Sequence, residues 1–127
     1  MQPTPAPVGG ELVEQIASLP TRAAVEQFLE SRPELRQASV VVALADEVPR
    51  LLHTALARAE RLSEASTWLA QRLDERTRAR ARRTAAHVLY ARGEHEAAVA
   101  AYDEARALYE GVGEHEELGR ASCRERV

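Results

Sequence analysis

The sequence predicts an all-α protein of antiparallel helix hairpins, stacked as a solenoid segment or gathered into an irregular helical bundle. Two observations carry this expectation. Hydrophobic residues make up 45% of the 127 residues but aromatic ones only 4%. Much of the apolar content is alanine, so helices must pack closely on helices, and a sheet is not expected. Residues 79–113 read as two short helices folded back on one another at Gly93. Such a pair cannot bury both of its faces alone and needs stacked neighbours.

Residues 1–10 hold three of the six prolines and two of the six glycines, and are expected to form a mobile leader outside the fold. From Glu11 the pattern turns helical, with Leu12, Val13 and Ile16 on one side as far as Pro20. Thr21 offers an N-cap hydroxyl to a helix over 22–31 that turns Ala24, Val25, Phe28 and Leu29 inward. Pro33 suits the first position of a third helix, where its missing N–H costs nothing. That helix carries Leu35, Ala38, Val41, Val42 and Ala45, and the β-branched run Val40, Val41, Val42 is too short to make it a strand.

Pro49 is expected to begin a fourth helix over 49–61, with a kink in the third as the other reading. Ser63 then caps a short helix over 64–73 that holds the only tryptophan, Trp68. Asp74 starts the next one. The chain then reads as roughly six or seven helices with short connections, in one domain over residues 11–118.

In the first helix of the 79–113 hairpin, Ala81, Ala85, Val88 and Leu89 form one stripe. Gly93 ends it, because glycine reaches the left-handed conformation that follows many helices. Glu94 and Glu96 favour the start of the second helix, which would bury Ala98, Val99, Tyr102, Ala105 and Leu108 and close at Gly111 and Gly113. Residues 119–127, GRASCRERV, are similar to the translation of a common sequencing-library adapter and are set apart from the fold. Their other reading is the opening of a further helix.

The hairpin resembles the tetratricopeptide repeats (TPR). That family's aromatic pair, glycine turn, small residue, aromatic and second small residue are matched by Leu89 and Tyr90, Gly93, Ala98, Tyr102 and Ala105. The match covers about 34 residues, one repeat of the family's length. Arg82, Ala86 and Glu110 stand where the family has tryptophan, glycine and proline. The run of the second helix through Gly111 and Gly113 is similar to the longer repeats of large bacterial signalling and caspase-like (CHAT-domain) proteins.

By this resemblance the chain is the N-terminal part of a larger bacterial protein and a protein-interaction or scaffold module. Its groove would be lined by Arg80, Arg83, His87 and Tyr90 and would take a peptide or protein partner. In some tetratricopeptide domains that groove holds a partner's C-terminal carboxylate with basic and amide side chains. The alternative function is a regulatory segment of a multidomain enzyme or transcription regulator. For the arginines themselves the competing reading is a solvated face paired to nearby acids.

Other classes of function find little support. The net charge of −3 is too small to argue for nucleic acid or an anionic membrane surface, and neither partner is expected. No apolar run approaches the ~20 residues of a membrane helix. Trp68 and Phe28 read as core anchors, because basic residues are not interleaved with them in the chain. His53, between Leu52 and Leu56, reads as a partly buried structural histidine.

Gly93-Glu94-His95-Glu96 recurs as Gly113-Glu114-His115-Glu116, but a helix of about 25 Å separates the two, too far for one metal ion. The single cysteine, Cys123, has no implied His or Asp partner, so no enzyme, metal or cofactor is expected. All 17 basic residues are arginine, consistent with a GC-rich bacterial source. One cysteine without a disulfide partner agrees with the cytoplasm. No motif fixes an oligomeric state.

Overall fold

The computed structural model describes residues 10–119, with side chains described as far as Gly113. The expected leader and tail therefore lie outside it, apart from Gly10 and Gly119, which end the first and last helices. The described residues are all-helical: α1 (Gly10–Ala17), α2 (Arg22–Glu30), a 3₁₀ turn (Pro33–Leu35), α3 (Ala38–Leu51), α4 (Leu56–Ala70), α5 (Glu75–Ala91) and α6 (His95–Gly119). Two antiparallel hairpins, α3/α4 and α5/α6, lie side by side, with α5 against both α3 and α4. Helices α1 and α2 cover α4 instead of extending the row.

Thr21 caps α2, its Oγ1 accepting from the Ala24 N–H at 3.1 Å. Val25 and Leu29 are fully buried and Ala24 and Phe28 half-buried. Pro33 does occupy the first position of a helix, but of a single 3₁₀ turn; α3 begins only at Ala38. In α3 the buried residues are Val40, Val41, Leu44, Ala45 and Val48, whereas Val42 is exposed. A helix this long buries one stripe, and Val42 falls on its far side.

Two expected boundaries move. Pro49 does not start a helix; it lies in the last turn of α3, where only one carbonyl bond, to Ala45, is lost before the helix ends at Leu51. The chain turns over residues 52–55, with the Ala55 N–H donating to the Leu51 carbonyl at 2.8 Å. His53 is exposed in that turn rather than partly buried. Ser63 does not cap anything either. It is buried inside α4, because Ala59, Leu62, Ser66 and Leu69 continue one stripe straight across it. A hydroxyl's capping preference is worth about 1 kcal/mol, less than a continuous buried stripe contributes.

The core gathers round α4. Ile16 of α1, Leu29 of α2, Leu44 and Val48 of α3, and Leu62 and Leu69 of α4 are fully buried there. Arg61 of α4 ties down the α1–α2 connection by donating to the Pro20 carbonyl at 3.1 Å, and it lies 3.0 Å from Glu64. Burial pushes the Glu64 carboxyl up, against the opposing pull of Arg61.

Asp74 caps α5, accepting from the Thr77 N–H at 3.2 Å; hydrogen bonding from the Thr77 side chain first, and from this N–H second, holds its carboxyl below the usual value. At the other end Gly93 has φ +85°. The Gly93 N–H donates to the Tyr90 carbonyl at 3.0 Å and the Glu94 N–H to the Leu89 carbonyl at 2.9 Å, the paired closure of a Schellman motif.

Helix α6 then runs through Gly111 and Gly113 instead of closing there, a glycine inside a helix costing only about 1 kcal/mol. Ala98, Ala101 and Ala105 are its buried stripe. Val99, 59% exposed, and Tyr102, 37% exposed, are not part of it, because α5 covers only one side of α6.

Replacing Gly93 by alanine is expected to cost about 1 kcal/mol in urea unfolding. An added Cβ would meet nothing within 4 Å, so the cost is purely conformational. No loss of stability would contradict the left-handed closure. Asp74→Ala is expected to cost about 1 kcal/mol at neutral pH. Because the folded pKa lies below 3.8, the carboxylate's contribution is present above that value and is lost as pH falls through the folded pKa, so wild type and variant should converge in acid.

Candidate functional site

Helix α5 buries two sides of itself and leaves a third lined with polar residues. Ala81 and Val88 are buried towards the core, Ala79 and Ala86 are also fully covered, and Ala85 and Leu89 are half-buried. Arg80, Arg83 and His87, at spacings of three and four, share the remaining side. On it two clefts meet. The first, about 220 Å³, lies between α3 and α5, with Asp46, Val48 and Pro49 on one wall and Arg80, Arg83, Thr84 and His87 on the other. The second, about 350 Å³, lies against α6 and is lined by Arg83, Tyr102, Ala105, Arg106, Tyr109 and Glu110. Arg83 lines both, so the clefts form one groove crossing α3, α5 and α6.

Charges along the groove are unevenly matched. Arg80 is ion-paired with Asp46 across the α3–α5 interface, and Arg106 with Asp103 at 3.2 Å. Arg83 has no carboxylate partner among the described residues. The His87 ring stands 5.4 Å from that of Tyr102, tilted by 55°. Burial pushes the His87 imidazole below its usual value of 6.5, and the positive charge of Arg83 pushes it the same way. Among the described residues the groove at neutral pH therefore offers one uncommitted cation, a neutral imidazole and two tyrosines. The Thr84 hydroxyl is spent on the Arg80 carbonyl at 3.0 Å. Nothing here pairs a nucleophile with a base.

Of the four residues singled out in the sequence, Arg80, Arg83 and His87 come together in the groove. Tyr90 does not. It is 60% exposed at the end of α5, stacked on His95 at 4.7 Å, and lines neither cleft. Two other arginines of the helix point elsewhere: Arg82 pairs with Glu104 of α6 and Arg78 with Glu75. Asp46, Pro49, Tyr102 and Tyr109 complete the groove and were not foreseen there. The first two come from α3, whose adjacency to α5 no local pattern encodes. Among the described residues no group of three or more His, Cys, Asp and Glu is arranged to hold a metal ion.

No family model, curated protein or solved structure matches this chain. None of the described helices is long and apolar enough to cross a membrane.

The lowered His87 pKa has a sign. Between the folded value and 6.5 the unfolded chain binds more protons, so the neutral ring's contribution to stability is present above pH 6.5 and declines as pH falls through that window. An NMR titration of the ring is expected to give a midpoint below 6.5. Arg83→Gln should raise it part of the way back, the remainder being desolvation. A wild-type midpoint at or above 6.5 would contradict this geometry.

Proposed function

We propose that the protein is an interaction module that binds a peptide segment of a partner protein in the groove across α3, α5 and α6, with a carboxylate of the peptide seated on Arg83. The observation that carries this reading is Arg83 itself. It is an arginine without a carboxylate partner among the described residues, placed where two open clefts join, in a chain whose acids outnumber its basic residues by 20 to 17. Guanidinium groups bind carboxylates through paired, charge-assisted hydrogen bonds.

On either side of that point the groove gives a peptide what its backbone and side chains need. His87 and the two tyrosines are apolar bodies with polar edges, the surface that interaction sites favour. The flanking pairs Arg80–Asp46 and Arg106–Asp103 are already neutralised, so they admit a chain without adding charge to it. The likeness of the hairpin to a tetratricopeptide repeat supports the same use of the groove, as analogy of fold only. A cytoplasmic module without catalysis, and with no nucleic-acid or membrane partner, is the form this reading takes.

The test is a panel of hexapeptides, each made with a free C-terminal carboxylate and as its amide, titrated into isotopically labelled protein. Free acids are expected to shift the resonances of His87, Tyr102 and Tyr109, and the amides to bind at least about tenfold more weakly, the loss of one charge-assisted contact. Arg83→Gln should remove that difference while changing stability by less than about 0.5 kcal/mol, since the side chain is exposed. Shifts confined to other surfaces, or acids and amides binding alike, would exclude the reading.

A further inference from the structure

A second group of arginines has no carboxylate partner among the described residues, and it lies on another side of the molecule. Most described arginines are ion-paired. Arg32, Arg36 and Arg72 are not, and all three sit over aromatic rings. The Arg72 guanidinium lies 3.9 Å from the centre of the Trp68 ring and that of Arg36 5.6 Å from the same ring, while that of Arg32 lies 4.7 Å from the Phe28 ring.

Aromatic and basic residues that are scattered in the chain are therefore interleaved in space. The 3₁₀ turn makes this possible. Arg32 and Arg36 flank it, held by the bonds from Leu35 N–H to the Arg32 carbonyl and from Arg36 N–H to the Pro33 carbonyl, so the two stems start within about 8 Å of one another.

We propose that Arg36 and Arg72, gathered over Trp68, form a binding site for a phosphate monoester, with Arg32 at its edge. Stacking on an aromatic face stabilises each guanidinium and still leaves its N–H fork free. One N–H of Arg72 is used, donating to the Trp68 carbonyl at 3.0 Å, and this fixes the direction of the rest. Two like charges on one ring repel each other unless an anion lies between them.

Two guanidinium groups 3.9 and 5.6 Å from one ring centre favour a compact anion. A monoester carries between one and two charges and three acceptor oxygens on a single phosphorus, enough to accept from both guanidinium groups held at the one ring. An extended polyanion would run off the patch onto a chain of net charge −3. The source of the monoester, a phosphorylated side chain or a small phosphorylated metabolite, is left to the experiment.

Trp68 is the only tryptophan, so its fluorescence reports the site directly. Phenyl phosphate and a phosphoserine tripeptide would each be titrated into the full chain at ionic strength fixed with sodium chloride. Saturable change in Trp68 emission is expected. Arg36→Gln and Arg72→Gln should each weaken it at least about tenfold, the loss of a charge-assisted contact.

Arg72→Lys should fall between wild type and Arg72→Gln. Arg50→Gln makes the same change in net charge at a residue paired with Glu47, and should bind like wild type. Tighter binding of the tripeptide would assign the site to a modified protein, tighter binding of phenyl phosphate to a small molecule. Circular dichroism checks each variant's fold, and the wild-type titration stands without them. The proposal is overturned by the absence of saturable change, by equal weakening in Arg50→Gln, or by a single-stranded oligonucleotide binding more tightly than either monoester.

Discussion

Helix α4 is packed on by α1, α2, α3 and α5, and that crowding governs what its sequence contains. Ala59, Leu62, Ser63, Ala65, Ser66, Leu69 and Ala70 are all buried, so the covered surface is far wider than one stripe. Four neighbours can approach one helix only where its side chains are small, which is why alanine and serine alternate with three leucines. A buried hydroxyl must still find a partner. Ser66 donates to the Leu62 carbonyl one turn back at 3.0 Å, so it fills space like alanine without leaving a polar atom unmet. The single tryptophan lies towards the end of the helix, half-buried under arginines, where the crowding relaxes.

Around that centre arginine works at the helix interfaces. Arg58 reaches Glu14 across α4 and α1, Arg80 reaches Asp46 across α5 and α3, and Arg82 reaches Glu104 across α5 and α6. Arg92, at the end of α5, joins Glu60 of α4 at 3.2 Å and Glu94 at 2.8 Å. Each such pair, largely exposed, is worth at most about 1 kcal/mol. Their value is in specificity. Alanine faces slide past one another with little change in packing, and a planar fork matched to one carboxylate distinguishes the right offset from its neighbours. With these arginines committed, Arg83 and the group over Trp68 stand apart as arginines without a carboxylate among the described residues.

The sequence made legible those features that depend on a few adjacent residues. The Thr21 and Asp74 caps and the Gly93 turn are local hydrogen-bonding problems, and their solutions can be read from residue type alone. The shared face of Arg80, Arg83 and His87 follows from helical spacing. The boundaries at Pro49 and Ser63 were not legible, because each residue's local preference was overruled by burial on α4, which depends on helices far away in the chain. The α3 wall of the groove was hidden for the same reason. So was the arginine cluster: Arg36 and Arg72 are separated by the whole of α3 and α4, and only the fold sets them over one ring.

Helix α6 shows why periodicity alone drew its buried stripe too wide, placing Val99 and Tyr102 beside Ala98 and Ala105. It carries two apolar stripes, one small (Ala98, Ala101, Ala105) and one bulky (Val99, Tyr102), and a hydrophobic pattern does not separate them. Packing favours the small one. With α5 burying Ala79 and Ala86 on the side where Arg82 reaches Glu104 of α6, close approach of the two axes requires small residues on both, and the tyrosine would hold them apart. The consequence reaches the groove. Because alanines take the interface, Tyr102 is displaced to its rim, where its ring meets His87 and lines the cleft beside Arg83. The constraint that brings α5 and α6 together is thus the same one that supplies the groove with its aromatic wall.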